Sequence, residues 1–101
     1  MTASGLRIRA SVCLNSADKL PIAKPLIAGW GPVVFFNEAA YIGRVLECRN
    51  PIQPGECGEA VIGILTSKIE ELDLREGSIF ELRDGPKTLI ATATVVSYSV
   101  E

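Results

Sequence analysis

Between Leu6 and Leu14 the residues LRIRASVCL alternate, with Ile8, Ala10, Val12 and Leu14 on one side and Arg7, Arg9, Ser11 and Cys13 on the other. A repeat of two predicts a half-buried β-strand, because successive side chains leave opposite faces of a sheet. NSADKLP follows, and its turn formers Asn15, Ser16 and Asp18 end the strand. Pro21, Pro25 and Pro32 then punctuate PIAKPLIAGWGP. A ring that fixes φ and removes an N–H keeps this stretch out of a helix or an inner strand. It reads as an extended crossing segment that packs Leu26, Ile27 and Trp30 onto a core.

Further apolar runs predict further strands. VVFF (Val33 to Phe36) is short and buried, NEAA is a tight connection, and YIGRVLEC (Tyr41 to Cys48) is the returning strand. Pro54-Gly55 marks a turn. GEAVIGIL (Gly58 to Leu65) and SIFELR (Ser78 to Arg83) add two strands, and Thr88 to Val100 is a long run rich in Thr, Val, Ile and Tyr. The helical candidate is SKIEEL, where Ser67 and Glu70 have capping-box spacing, but Leu72 and Leu74 limit it to a single turn. Turn signals about every ten residues indicate an all-β sandwich or barrel. So many apolar strands in so short a chain favour closure, which removes exposed edges. The expectation is one domain over residues 1–101, ordered from about 6 to 100, folded as a six-stranded antiparallel β-barrel, closed or nearly closed.

Composition agrees with one such core. The chain has 101 residues, 48% of them apolar and 22% charged, a globular balance at the common size of a single domain. No apolar run approaches the roughly 20 residues that a membrane-spanning helix needs, and MTASGLR has no apolar leader stretch. The expectation is a soluble cytoplasmic protein with a complete reading frame and no membrane partner.

Charge and chemistry narrow the function. Ten basic and twelve acidic side chains leave a net charge of −2, which exerts no general pull on phosphate backbones. Arg7, Arg9 and Arg44 form a patch only if their strands adjoin. Cys13, Cys48 and Cys57 are odd in number, widely spaced and without a CxxC pair, so they read as reduced thiols partly packed in the core. A Cys48–Cys57 bridge would require their strands to be neighbours. There is no histidine, so a zinc site would need all three thiolates and a carboxylate. The commonest acid–base catalyst and every Cys/His or Ser/His arrangement are missing as well. Neither GxxxxGK[ST] nor GxGxxG occurs. Glu70, Glu71, Asp73 and Glu76 share one polar segment, which reads as a solvated face or, alternatively, a docking site for a basic partner. No catalytic residue, cofactor or metal is expected.

Three segments in order, KPLIAGWGPVVFF, IQPGECGEAVIGIL and GSIFELRDGPKTLIATATVV, resemble the C-terminal barrel domain of the elongation factor Tu family. Gly29-Trp30-Gly31-Pro32 stands where that family has Gly-Tyr-Arg-Pro, and Pro54-Gly55-Glu56 where it has Pro-Gly-Asp. Phe80, Arg83, Gly85, Lys87 and Thr88 match places in the family's closing Gly-x-Arg-Phe-x-x-Arg-x-Gly-Gly-Arg-Thr motif. The likeness spans about Arg7 to Ser97 and implies a six-stranded antiparallel barrel that docks the T-stem side of aminoacyl-tRNA and the nucleotide-exchange factor. The family's GTPase domain has no counterpart in these residues.

The tRNA-facing positions depart from the family. Lys87 replaces an arginine, and an ammonium does not reproduce the forked contact of a guanidinium with phosphate. Val33 replaces a glutamine, Ile79 an arginine, and the basic loop shrinks to NSADKLP with Lys19 beside Asp18. SKIEELDLREG is about three residues longer than its counterpart, by the resemblance, and acidic. The candidate partner-binding residues are Lys87, Arg83, Asp84, Trp30, Lys19, Glu70 and Glu71. For Asp84-Gly85, Arg83 and Lys87 the alternative is a plain hairpin turn flanked by solvated charges. For Trp30 the alternatives are a core plug and an interface anchor. The expected function is a non-catalytic, protein-binding accessory module related to translation factors. A tRNA- or RNA-binding domain and a separately encoded subunit that completes a translation-type GTPase are the alternatives.

Overall fold

The computed structural model describes residues 5–66, 73–85 and 87–100. Its strands are β1 (Gly5–Leu14), β2 (Val33–Phe36), β3 (Ala39–Glu47), β4 (Cys57–Leu65), β5 (Ile79–Asp84) and β6 (Thr88–Val100). They pair antiparallel in the order β1-β4-β3-β2-β5-β6, and β6 returns to β1 to close a barrel. The sequence-based strands are all present, with small shifts at their ends. The anticipated helical turn SKIEEL, with Glu70 and Glu71, lies outside the described residues. Among those residues no helix is long and apolar enough to cross a membrane.

Alternation builds the interior. Leu6, Ile8, Ala10, Val12 and Leu14 of β1 are buried, and their neighbours point outward. A barrel of this strand number is narrow, and between β5 and β6 large inward side chains are matched with small ones. Phe80 is registered against Ala93 and Leu82 against Ala91, while Ala10 faces Ala60. The small residues of TLIATATVV therefore make room for the bulk supplied by β5. The β2–β3 turn is equally local in origin. Asn37 and Glu38 both take positive φ, 55° and 64°, the two-residue geometry whose twist suits adjoining strands.

The register also corrects the reading of the cysteines. Cys13 and Cys57 form a disulfide, and only Cys48 keeps a free thiol. The Leu14 N–H donates to the Glu56 carbonyl and the Gly55 N–H to the Leu14 carbonyl, at 2.9 and 3.1 Å. Leu14 thus spends its backbone groups on the β4 side. The alternation of an antiparallel ladder then leaves Cys13 and Cys57 as a close, non-hydrogen-bonded pair, with Cα atoms 4.0 Å apart. A pairing over 44 residues of sequence is invisible in cysteine spacing.

Closing a loop of that length restricts the unfolded chain and stabilises the fold by about 2–4 kcal/mol. Cys13→Ser, or full reduction, is expected to lower the urea-unfolding free energy by that amount; an unchanged midpoint would show the bond to be energetically idle. Ala93→Leu is expected to cost about 1–3 kcal/mol by overfilling the space opposite Phe80, read as a lower thermal midpoint.

Candidate functional site

One end of the barrel gathers most of the irregular chain. The end of β1, the start of β4, the end of β5 and the start of β6 meet there, as the pairs Cys13 with Cys57, Leu14 with Ala91, and Asp84 with Thr88 require. Asn15 fastens the corner. Its N–H donates to the Ile90 carbonyl at 2.9 Å, and its side-chain amide donates to the Leu89 carbonyl at 3.0 Å.

The proline-punctuated segment lies across this end as a strap. Leu26 and Ile52 exchange backbone hydrogen bonds of 2.8 and 3.0 Å. Further on, the Gly29 N–H donates to the Val45 carbonyl and the Val45 N–H to the Trp30 carbonyl, at 2.8 and 2.7 Å. Gly29 sits at φ +97° between these two anchorages, a conformation that glycine adopts without a side-chain penalty. Leu26 is buried as expected, but Ile27 is not: the strap is pinned through Leu26, and Ile27 faces outward.

Strap and barrel enclose a groove of about 620 Å³. Its apolar lining includes Leu20, Ile22, Ile27, Trp30 and Ile90, and its charged lining residues are Lys24 and Asp84. Largely apolar concavities with a few fixed polar groups are the usual form of a binding site. A larger hollow of about 1070 Å³ lies beside Arg9, Glu47, Arg49 and Glu59. Charges in it are paired across the sheet, Arg9 with Glu59 at 3.5 Å and Glu47 with the neighbouring Arg7 at 2.7 Å; Arg49 and Glu56 also line it.

The residues singled out from sequence are distributed unevenly. Trp30 and Asp84 come together in the groove. Trp30 is half-buried and packs against the core, so it is not a fully enclosed core plug. Lys19 lies in the 3-10 turn Ala17–Lys19, and Lys87 in the β5–β6 turn, both exposed and at the same end of the barrel. Ser16 donates its hydroxyl hydrogen bond to the carboxylate of Asp18, beside Lys19, and holds that acid below its ordinary range. Gly85 takes φ +76°, as the turn chemistry of Asp84-Gly85 anticipates.

Arg83 is not a solvated flanking charge. Its guanidinium lies 4.0 Å above the ring of Phe35 and pairs with Glu81, in keeping with the affinity of a planar cation for an aromatic face. The cross-strand pair Phe35 with Glu81, next to Val33 with Arg83, positions this trio on the wall. Arg7 and Arg44 do lie in one row, both registered against Gly63. Arg7 there serves Glu47.

Among the described residues no group of three or more His, Cys, Asp and Glu side chains could hold a metal ion. No protein-family model matches the chain, and no curated protein matches it.

Sequence reasoning passed over Leu20, Ile22, Lys24 and Ile90 as site residues. The signal for the first three was present, since apolar and basic side chains interleaved with prolines cannot all be buried by a segment without regular pairing. Ile90 gave none, because only barrel closure carries it to the strap. Cys48 was also underread. Its thiol donates to the Asn50 carbonyl at 3.2 Å. Burial raises its pKa above the ordinary thiol value, offset in part by a backbone hydrogen bond from Ile52. The thiolate is the reactive form, so native Cys48 is expected to react with iodoacetamide more slowly at neutral pH than in the urea-unfolded chain. Equal rates would remove the burial argument.

Proposed function

We propose that this protein is a non-catalytic binding module that grips a protein segment in the groove beneath the strap. The carrying observation is an apolar concavity with Trp30 in its wall and two opposite charges, Lys24 and Asp84, in its lining. A half-buried aromatic anchor with sparse charges suits an extended peptide that presents an apolar side chain and a polar neighbour. Phosphate backbones demand converging cations, and at this end Lys19, Lys24 and Lys87 offer a weak version of that, with Asp84 among them. The likeness to the C-terminal barrel of elongation factor Tu supports the same reading, since that barrel serves as a docking surface. We place the module in the cytoplasm as an accessory to translation that competes for protein ligands of the full factor.

The test is affinity capture from the source cell with and without nuclease, comparing the natural chain with Trp30→Ala and Ile27→Asp. A specific protein is expected to survive nuclease treatment, and its affinity is expected to fall about tenfold or more in either variant, or about 1.4 kcal/mol. Capture that is unchanged in both variants would move the site elsewhere. Titration with tRNA at low salt, with Lys87→Glu alongside, separates the RNA-binding alternative: the expected result is no saturable complex.

A further inference from the structure

β3 and β4 part company before β4 reaches its loop-bearing end. Their pairing stops at Glu47 with Val61, after a register shift, whereas β4 extends back to Cys57 with only β1 beside it. The chain that follows β3 turns away, and Ile52 exchanges its backbone hydrogen bonds with Leu26. The hollow of about 1070 Å³ occupies the gap. Cys48, Arg49 and Asn50 line it from the departing chain, and Glu56 to Val61 line it from β4.

Strand alternation decides which backbone groups face this gap. Cys13 with Cys57 is a non-hydrogen-bonded pair, and so is Ser11 with Glu59 two residues further along β4. The N–H and C=O groups of Cys57 and Glu59 therefore point away from β1, toward the side that β3 has vacated. They have no ladder partner there among the described residues. Arg49 is exposed and makes no ion pair among those residues. Glu56 meets only the Gln53 N–H, at 3.3 Å. An open strand edge, a guanidinium for a carboxylate and a carboxylate for an ammonium together complement a short peptide with charged ends.

Sulfur chemistry adds a reaction to this site. Both cysteines of the bridge are exposed, and exposed disulfides are the ones open to exchange with thiols. Cys57 lines the hollow, and Cys13 does not. β1 and the gap left by β3 lie on opposite sides of β4. A thiolate entering from the gap thus meets Cys57 Sγ with Cys13 Sγ leaving on the far side, the in-line course that displacement at sulfur follows.

We propose that the hollow receives a small peptide thiol bearing carboxylates, which opens the Cys13–Cys57 disulfide through a mixed disulfide at Cys57. The thiolate forms a bond to Cys57 Sγ as the S–S bond breaks. The electron pair goes to Cys13 Sγ, which takes a proton from water. A second thiolate then attacks the peptide's sulfur and releases Cys57 as a thiolate. The protein has gained two electrons, and two peptide thiols have become one peptide disulfide. No residue lines both this hollow and the groove beneath the strap, so the proposal stands or falls independently of the segment-binding reading.

Reduced glutathione, a tripeptide thiol, is the probe, and uncharged 2-mercaptoethanol at the same thiolate concentration is the comparison. With the full oxidised chain, the opening rate is expected to saturate in glutathione and to rise linearly in 2-mercaptoethanol. Arg49→Glu is expected to slow opening by subsaturating glutathione about threefold or more, while the 2-mercaptoethanol rate is unchanged. The thermal midpoint of this surface variant is followed in parallel. Samples quenched in acid during opening, alkylated and digested with trypsin separate the cysteines into peptides that begin at Ala10, Val45 and Asn50. The glutathione adduct is expected on the last of these, which carries Cys57. An adduct on Cys13 or Cys48 instead, linear kinetics with both thiols, or a glutathione rate indifferent to Arg49→Glu would overturn the proposal.

Discussion

The pairing of β1 with two distant partners at once is the constraint on which this molecule depends. β1 takes β4 on one side and β6 on the other, so the first strand of the chain is fully paired only when the last is in place. Ile8, Val12 and their neighbours are withdrawn from water by that double pairing, and burial of such side chains is the main favourable term in folding. The sheet cannot close around oversized contents. The alanines at 10, 60, 91 and 93 therefore matter as much as Phe80 and Leu82. The disulfide reinforces the same seam, joining β1 to β4 at its loop-bearing end.

Closure is also what makes the loops into a site. The strap from Leu20 to Pro32 has little regular pairing of its own, and its order comes from two short sets of hydrogen bonds, one to Ile52 and one to β3. Those partners hold still because the barrel behind them is shut. Trp30 can then rest one face on the core and turn the other toward the groove, an arrangement that gives an aromatic ring binding surface at little entropic cost. Asp84 reaches the same groove from the end of β5. The outer wall contributes less, because Arg9 with Glu59 and Arg7 with Glu47 are exposed pairs, and exposed pairs add little stability. They do offset one another's fields on that wall.

The two ends of the barrel thus differ in kind. One is covered by chain and stapled by the disulfide, and the other lets β6 run past its neighbour. Beyond Val95, β6 has no ladder partner on its β5 side among the described residues. The residues from Thr88 to Val100 carry no charge, unlike the salt-bridged strands on the outer wall.

The sequence by itself determined the class of fold and nearly every strand. Period-two alternation and turn residues are local, and Leu6 to Leu14, Val33 to Phe36 and Thr88 to Val100 need no distant information to be read. Proline placement likewise marked the strap, and Asp84-Gly85 its neighbouring turn. Only the tertiary structure decided which strands adjoin. That choice set Cys13 opposite Cys57, laid Arg83 over Phe35, brought Ile90 to Trp30 and left Ile27 exposed. The physical reason is that each of these contacts depends on register between strands far apart in the chain. Register is chosen by the packing of the whole interior, which no short window of sequence contains.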